Sequence, residues 1–468
     1  MKYMSYGLPS PKSNPTILDE VKAVLHLAIP LAGAQLSQSA TGFVDTVMMG
    51  LLGSQTIAAG GLGATYFTAL LLISSAVVAA VSPLAAEAYG AGKPERVGQV
   101  ARQGLWLAVA LAIPLTWLLW NAALVLRLLG QAPETIALSQ TYLQAIAWGL
   151  LPGLGFAVLR SFVAALSDAR PIIVIMIGGT LLNIVTNYGL MFGIGILPQL
   201  GLAGLAWAST LSLWCMFLAL GGYILSQPQL RVYGVFRDLH RFDPQIFGEL
   251  IKIGIPMGVL SVVEVGLFAV TTVLMGQLGT VALAAHQIAI QTAAITFTIP
   301  TGIGLATTVQ VGQLLGQGNF KRAKRAGLIG IALGCLFMSS MAVLFWTMPG
   351  SIVALYLDIH DPLNAEVVKL AKSLLLVAAM FQLADGIQVT AIGALRGFKD
   401  TQIPMLIGLA TYWGVGLTSG YVLGLTLGFG GVGLWWGLAL GLAVAAILLT
   451  WRCWVKQPNR QADELNKF

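Results

Sequence analysis

Polar residues fall along this chain in short clusters, and between the clusters lie uninterrupted apolar runs such as the one around Leu70-Leu71-Leu72-Ile73. Many runs reach eighteen residues or more. At about 1.5 Å per residue, such a run crosses a hydrocarbon layer roughly 30 Å thick as a helix. Between polar breaks the pattern predicts about twelve such helices. Composition agrees with lipid as the main solvent: 57% of the residues are hydrophobic and 9% charged, with a mean hydropathy of +0.84, which places the chain outside soluble domains. The expected fold class is an all-α polytopic membrane protein with twelve transmembrane helices.

The runs repeat. Ile29-Pro30 returns as Ile255-Pro256, Met49-Gly50 as Met275-Gly276, Gly53 as Gly279 and Ala58-Ala59 as Ala284-Ala285, each displaced by 226 residues. Gly90, Gly92 and Arg96 come back as Gly316, Gly318 and Arg322 in the same register, and Gly204 and Trp207 as Gly433 and Trp436 at an offset of 229. An ordered series of this length is the signature of duplication. Six helices per copy is an even number, so both copies enter the membrane in one orientation, as two pseudo-twofold-related six-helix bundles. The expected domains are residues 1–226 and 244–468, joined by a polar cytoplasmic linker at 227–243. A cleft between two such bundles is where a solute would bind.

A net charge of +7 raises the question of nucleic acid, but the basic residues are scattered through short loops instead of gathered on one face. With the amino terminus inside, 22 of the 25 Lys and Arg fall on the inner side, from Lys2, Lys12 and Lys22 to Arg460 and Lys467; only Arg127, Lys369 and Lys372 fall outside. The positive-inside rule therefore places both termini in the cytoplasm. Cys215, Cys335 and Cys453 are far apart and without CxxC spacing, so they read as packing residues and not as a disulfide or metal framework. The polar start, with Pro9, Pro11 and Pro15, does not resemble a cleavable signal.

Three acids interrupt otherwise apolar helix centres: Asp45, Glu264 and Asp385. Each costs about 2.5 to 3.5 kcal/mol on insertion scales, and no Lys or Arg lies within these helix centres to neutralise it. An ion pathway justifies that cost; a protonated, hydrogen-bonded packing role is the alternative. Glu264 lies twelve residues past Lys252 and Asp385 thirteen past Lys372, so each sits about 18 to 20 Å along its helix and both reach mid-membrane, at a common site in the second bundle. Asp45 belongs to the outer half of the first. Asn183 and Asn187 share a helix face and supply amide oxygens that suit either an alkali cation or interhelical bonding; Thr210 adds little by itself. Pro30, Pro256 and Pro300 permit bends. His286 serves either titration or packing. Met257, Phe268, Phe381, Tyr412 and Trp413 are candidate cavity contacts for flat organic cations.

Taken together, the chain resembles the multidrug and toxic compound extrusion (MATE) family, in its NorM-like branch. The likeness rests on Ile29-Pro30 with Asp45-Thr46 and Met49-Gly50, the Gly-rich loops after the second and eighth helices, Leu159-Arg160-Ser161-Phe162, and Leu395-Arg396-Gly397 with Lys399-Asp400-Thr401 and Pro404. The resemblance implies a V-shaped, monomeric inner-membrane antiporter, without cofactor, that exports organic cations and drug-like compounds by alternating access in exchange for Na⁺ or H⁺. By position it assigns Asp45, Asn183, Asn187 and Thr210 to a first-lobe cation site and Glu264 and Asp385 to the second, with Na⁺ possible at either. One departure stands out: members of the branch can carry Tyr one turn before the acid of the tenth helix, where this chain has Phe381. Two other readings compete with this one. A lipid-linked precursor flippase would place basic residues in its cavity, and a membrane-embedded enzyme would need a nucleophile and base or metal ligands at depth. No HExxH or GxSxG occurs, and Pro94 stands where a phosphate loop needs Ser or Thr.

Overall fold

A backbone in hydrocarbon must satisfy its own N–H and C=O groups, and a helix does so within one segment. The computed structural model describes residues 16–128, 130, 132–194 and 198–456, and among these the chain is helical without a strand. Lys2, Lys12, Arg460, Lys467, Pro9, Pro11 and Pro15 lie outside the described residues. The long helices are α1 (Ile17–Leu51) and eleven that are long and apolar enough to cross a membrane. The eleven are α2 (Thr56–Gly90), α3 (Pro94–Trp120), α4 (Pro133–Ala165), α5 (Arg170–Phe192), α6 (Leu202–Ser226), α7 (Pro244–Gln277), α8 (Thr280–Gly316), α9 (Phe320–Thr347), α10 (Pro362–Gly397), α11 (Gln402–Thr426) and α12 (Gly430–Val455). α1 stands apart because Gln35, Gln38 and Asp45 interrupt its apolar run.

The chain packs as two compact units, Gly33–Gly258 and Thr16–Ala32 joined by the chain from Val259 onward. The cuts fall two residues beyond Pro30 and Pro256, inside α1 and α7, which continue as helices through both prolines. The first stretch of α1 thus belongs to the second unit, and the first stretch of α7 to the first unit. In the first unit Gly254 of α7 lies so close to α2 that an added Cβ would sit 2.4 Å from the Val77 carbonyl oxygen. In the second, Gly302 of α8 stands equally close to Ala32 of α1, at 2.7 Å.

Ion pairs are formed at both attachments, one around a buried carboxylate and one at the exposed surface. Glu20, 5% exposed, accepts from Arg325 Nε at 2.6 Å and pairs with Arg322 at 3.4 Å. Arg96 pairs with Glu249 at 2.9 Å in the first unit. The linker is docked along α3: Gln103 Nε2 donates to the Arg241 carbonyl at 3.0 Å and Trp106 Nε1 to that of Leu239 at 2.8 Å. Asp243 then caps α7, accepting from the Gln245 and Ile246 amides.

Two glycine requirements account for much of the repeat. Gly92 and Gly318 take positive φ, 66° and 72°, at the ends of α2 and α8. In each turn two successive amides fold back onto helix carbonyls: those of Gly92 and Lys93 onto Tyr89 and Ala88, and those of Gly318 and Asn319 onto Leu315 and Leu314. A side chain is strained in that conformation. Within α11 and α12, glycines bring the backbones into contact, as small-residue stripes do in membranes. A Cβ on Gly437 would lie 2.2 Å from Gly420 Cα.

That contact is testable. Gly437→Ala must push two backbones apart, an overpacking penalty of about 1–3 kcal/mol, and should lower the apparent Tm of the purified protein in detergent. Gly414→Ala, where an added Cβ meets nothing within 4 Å, should leave it unchanged.

Candidate functional site

In the first unit Asp45 is half-buried on α1 and closes a ring of short polar side chains from three helices. Its Oδ1 accepts from Asn187 Nδ2 at 2.6 Å, and Asn187 also donates to Asn183 Oδ1 at 3.0 Å. Asn183 Nδ2 donates to Ser209 Oγ at 3.1 Å, and Ser209 donates back to Asp45 Oδ2 at 3.3 Å. The i, i+4 spacing on α5 stacks the two amides on one face, and Asn183 and Asn187 are 1% and 0% exposed. One oxygen stays uncommitted: Asn187 Oδ1 is buried without a hydrogen-bond donor. A carboxylate, an amide carbonyl and a hydroxyl are the oxygen ligands that hard cations take.

Thr210, expected in this group, turns its hydroxyl to the Ala145 carbonyl of α4 at 3.0 Å. Its neighbour Ser209 takes the place beside Asp45. Adjacent residues on a helix point about 100° apart, so only the packed structure selects between them.

In the second unit Asp385 of α10 is 5% exposed and Glu264 of α7 is half-buried. They lie within electrostatic reach of each other. Among the described residues neither carboxylate, nor that of Asp45, has a Lys or Arg within 4 Å. The nearest positive influence on Glu264 is Arg396, eleven residues past Asp385 on α10 and about 16 Å along it. Sequence reasoning assigned Arg396 to the inner side with the other basic residues and gave it no part in the site. The motif offered a signal, since Leu-Arg-x-Phe ends both Leu159–Phe162 and Leu395–Phe398. In the first copy Arg160 Nη1 donates to Gln35 Oε1 at 3.2 Å.

The aromatic candidates divide. Phe381 and Tyr412 are core, at 2% and 1% exposure, with Phe381 edge-on to Phe268 and Trp435 at 6.2 and 5.5 Å. Trp413 is 39% exposed and donates to the Val263 carbonyl, next to Glu264, at 3.0 Å. Met257, 3% exposed, belongs to the first unit. His286 is fully buried: Trp435 Nε1 donates to its Nδ1 at 3.2 Å, and its Nε2 lies 3.0 Å from Thr272 Oγ1. An indole can only donate, so Nδ1 is the acceptor and Nε2 carries the proton. Pro30, Pro256 and Pro300 lie inside α1, α7 and α8.

The MatE family model matches residues 30–189 and again 256–422, so the two matches begin at the paired prolines. The chain belongs to the MatE family. It is 46% identical over 433 residues to a probable multidrug resistance protein NorM of Synechocystis sp., covering 92% of this chain and 94% of that one. With the protein of the same name from Pseudomonas aeruginosa it shares 43% over 456 residues, 97% and 93% of the two chains. Among solved structures, a eukaryotic MATE transporter superposes with a TM-score of 0.85 at 21% identity over 96% of this chain and 99% of that one. An outward-facing multidrug resistance MATE transporter gives 0.84 at 19%, covering 93% and 95%. These likenesses establish the fold, a twelve-helix membrane protein of two bundles. MatE proteins are transporters, not enzymes, and need no cofactor; a coupling ion is a substrate.

The Asp45 ring gives a discriminating pair of variants. Ser209→Ala removes a donor to the carboxylate and should alter the ion dependence of transport in proteoliposomes. Thr210→Ala removes a hydrogen bond to the backbone, worth about 1 kcal/mol, and should lower the Tm without moving that dependence.

Proposed function

We propose that this MatE chain is a multidrug efflux antiporter that exports cationic, drug-like compounds in exchange for Na⁺ or H⁺ entering the cell. It works as a monomer in the inner membrane, with both termini in the cytoplasm. The observation that carries the reading is the set of three membrane-embedded carboxylates, Asp45, Glu264 and Asp385, without a Lys or Arg within 4 Å among the described residues. Such groups are costly in a membrane, and a transported cation offsets the cost whenever it is present.

Coupling then reduces to competition. A carboxylate that is ionised and empty attracts an organic cation, whereas one that is protonated or holding Na⁺ does not. Entry of the coupling ion from outside lowers affinity for the drug in the state open to the outside, and the drug leaves. Differential affinity between two states is all that such a cycle requires. The acids also argue against the flippase alternative, because a lipid diphosphate needs a basic cavity.

In proteoliposomes loaded with ethidium, an imposed inward Na⁺ or pH gradient should drive efflux, and whichever gradient succeeds alone identifies the ion. Asp385→Asn keeps the side-chain volume and should fold normally, as checked by a monodisperse elution profile, while gradient-driven efflux falls to background. Undiminished export by the folded variant would remove Asp385 from the mechanism.

A further inference from the structure

The two copies part company where the linker docks. In the first, Gly98, Arg102 and Trp106 follow one another at i, i+4 and i+8, on one face of α3, and the linker lies on that face. A Cβ on Gly98 would sit 1.8 Å from the Tyr233 carbonyl oxygen. Arg102 Nη1 donates to the Arg237 carbonyl at 3.0 Å, and Trp106 Nε1 to that of Leu239. At the offset of 226 the same face of α9 reads Lys324, Leu328 and Ala332. A chain cannot pass over Lys324 as the linker passes over Gly98, and Leu328 and Ala332 have no side-chain donor to hold its carbonyls.

What replaces the docking groups has an order of its own. Lys321 stands one turn before Lys324 on α9, where the first copy has Glu95. Beyond the two lysines the face is apolar and continues to Leu336, which is 69% exposed. Lys321 is exposed, and Lys324 Nζ lies 5.4 Å from the ring centroid of Trp454, an indole on α12 that is itself 61% exposed. The other cations around them are committed: Arg322 and Arg325 hold Glu20, and Arg452 and Lys456 hold Asp400. Among the described residues neither Lys321 nor Lys324 has a carboxylate within 4 Å. The positive-inside rule asks for charge near a helix end, but not for two unneutralised lysines on one face, one of them over an exposed indole, above an apolar strip.

We propose that Lys321, Lys324 and Trp454 form a site for the headgroup of an anionic phospholipid, whose acyl chains lie along Leu328, Ala332 and Leu336 of α9. The lysines meet the phosphate, and the indole sits at the level where headgroup gives way to hydrocarbon, as tryptophans do at membrane interfaces. A protein segment would need polar groups along the strip, as the linker has along α3. A lipid needs them only at the end.

The test titrates the full-length protein, purified in dodecyl maltoside, with dioleoylphosphatidylglycerol. Native mass spectrometry counts the lipid retained, and the rise in Tm gives a second reading. The wild type should retain phosphatidylglycerol in preference to phosphatidylcholine. A lysine near an anionic headgroup contributes about fivefold in affinity, so Lys321→Gln should weaken retention about fivefold and Lys321→Gln with Lys324→Gln about twentyfold. The pair Lys321→Arg and Lys324→Arg keeps the charge and should stay near the wild type. Lys93→Gln with Lys252→Gln removes the same net charge from exposed positions of the first unit and should leave retention unchanged.

Unchanged retention in the Lys321→Gln and Lys324→Gln proteins would overturn the proposal. An equal loss in the Lys93→Gln and Lys252→Gln protein would do so as well, since net charge and not a site would then be responsible. Displacement of the lipid by excess glycerol 3-phosphate would mean a site for free phosphate. Tighter retention in Asp463→Asn with Glu464→Gln would give the two lysines to the chain's own acids, and would likewise overturn it.

Discussion

A carboxylate inside a membrane that has no basic partner must be held by neutral groups, and those groups reach only as far as an Asn or Ser side chain extends. The rest of the architecture follows from that short reach. Gly204 brings α6 so near to α5 that an added Cβ would lie 2.5 Å from the Leu190 carbonyl. Farther along the same two helices, Ser209 bonds to Asn183 and to Asp45. In the second unit Gly304 of α8 and Gly393 of α10 meet backbone to backbone, with 2.3 Å left for a Cβ at Gly393, and α10 carries Asp385 and Gln388. Small residues have no chemistry of their own here. Their part is to let helices approach until short polar side chains touch.

The duplicated halves keep geometry and vary chemistry. After α4 and after α10 the chain turns through a residue with positive φ, Ser167 at 65° and Lys399 at 57°, and each is followed by an aspartate. Asp168 accepts from the Tyr223 hydroxyl at 2.9 Å. Asp400 instead takes Arg452 at 3.1 Å and Lys456 at 2.5 Å. Tyr223 and Arg452 are partners at the offset of 229 that relates α6 to α12, so one structural clamp survives with a hydroxyl donor in one copy and cationic donors in the other. The same divergence separates the acid sites: an amide–hydroxyl ring surrounds Asp45, whereas two acids, an arginine and a phenol gather in the second unit.

Hydropathy was sufficient to read the helices, and the offset of 226 to read the duplication, because both depend on long runs of residue type. The acids were legible for the same reason, a charge in an apolar run being conspicuous. What could not be read was direction around a helix axis. Thr210 and Ser209 are adjacent, and only the approach of α4 on one side and α5 on the other decides which faces Asp45. The hydrogen bond that the buried Tyr412 accepts from Gln388, 24 positions away on another helix, has no sequence signature, and neither has the π-helical stretch Leu409–Leu417 around it. The influence of Arg396 on Glu264 is hidden in the same way, because a long side chain carries charge far from its own Cα. The boundary between packing units inside α1 and α7 was likewise hidden, since Pro30 and Pro256 mark a place to bend and not which neighbours the two ends choose.

That boundary gives α1 and α7 a shared logic. α1 carries Glu20, held by Arg322 and Arg325 in the second unit, and Asp45, bonded in the first. α7 carries Glu249, held by Arg96 in the first unit, and Glu264 beside Asp385 in the second. Each helix therefore joins an ion-pair anchor in one unit to an acid site in the other, with one proline between them. Between the two ends of α1 lies Pro30, where a backbone hydrogen bond is missing. Breaking a nearly buried ion pair costs far more than bending a helix at a proline. Pro30 is thus the soft element of α1 and the ion pairs of the buried Glu20 the stiff one.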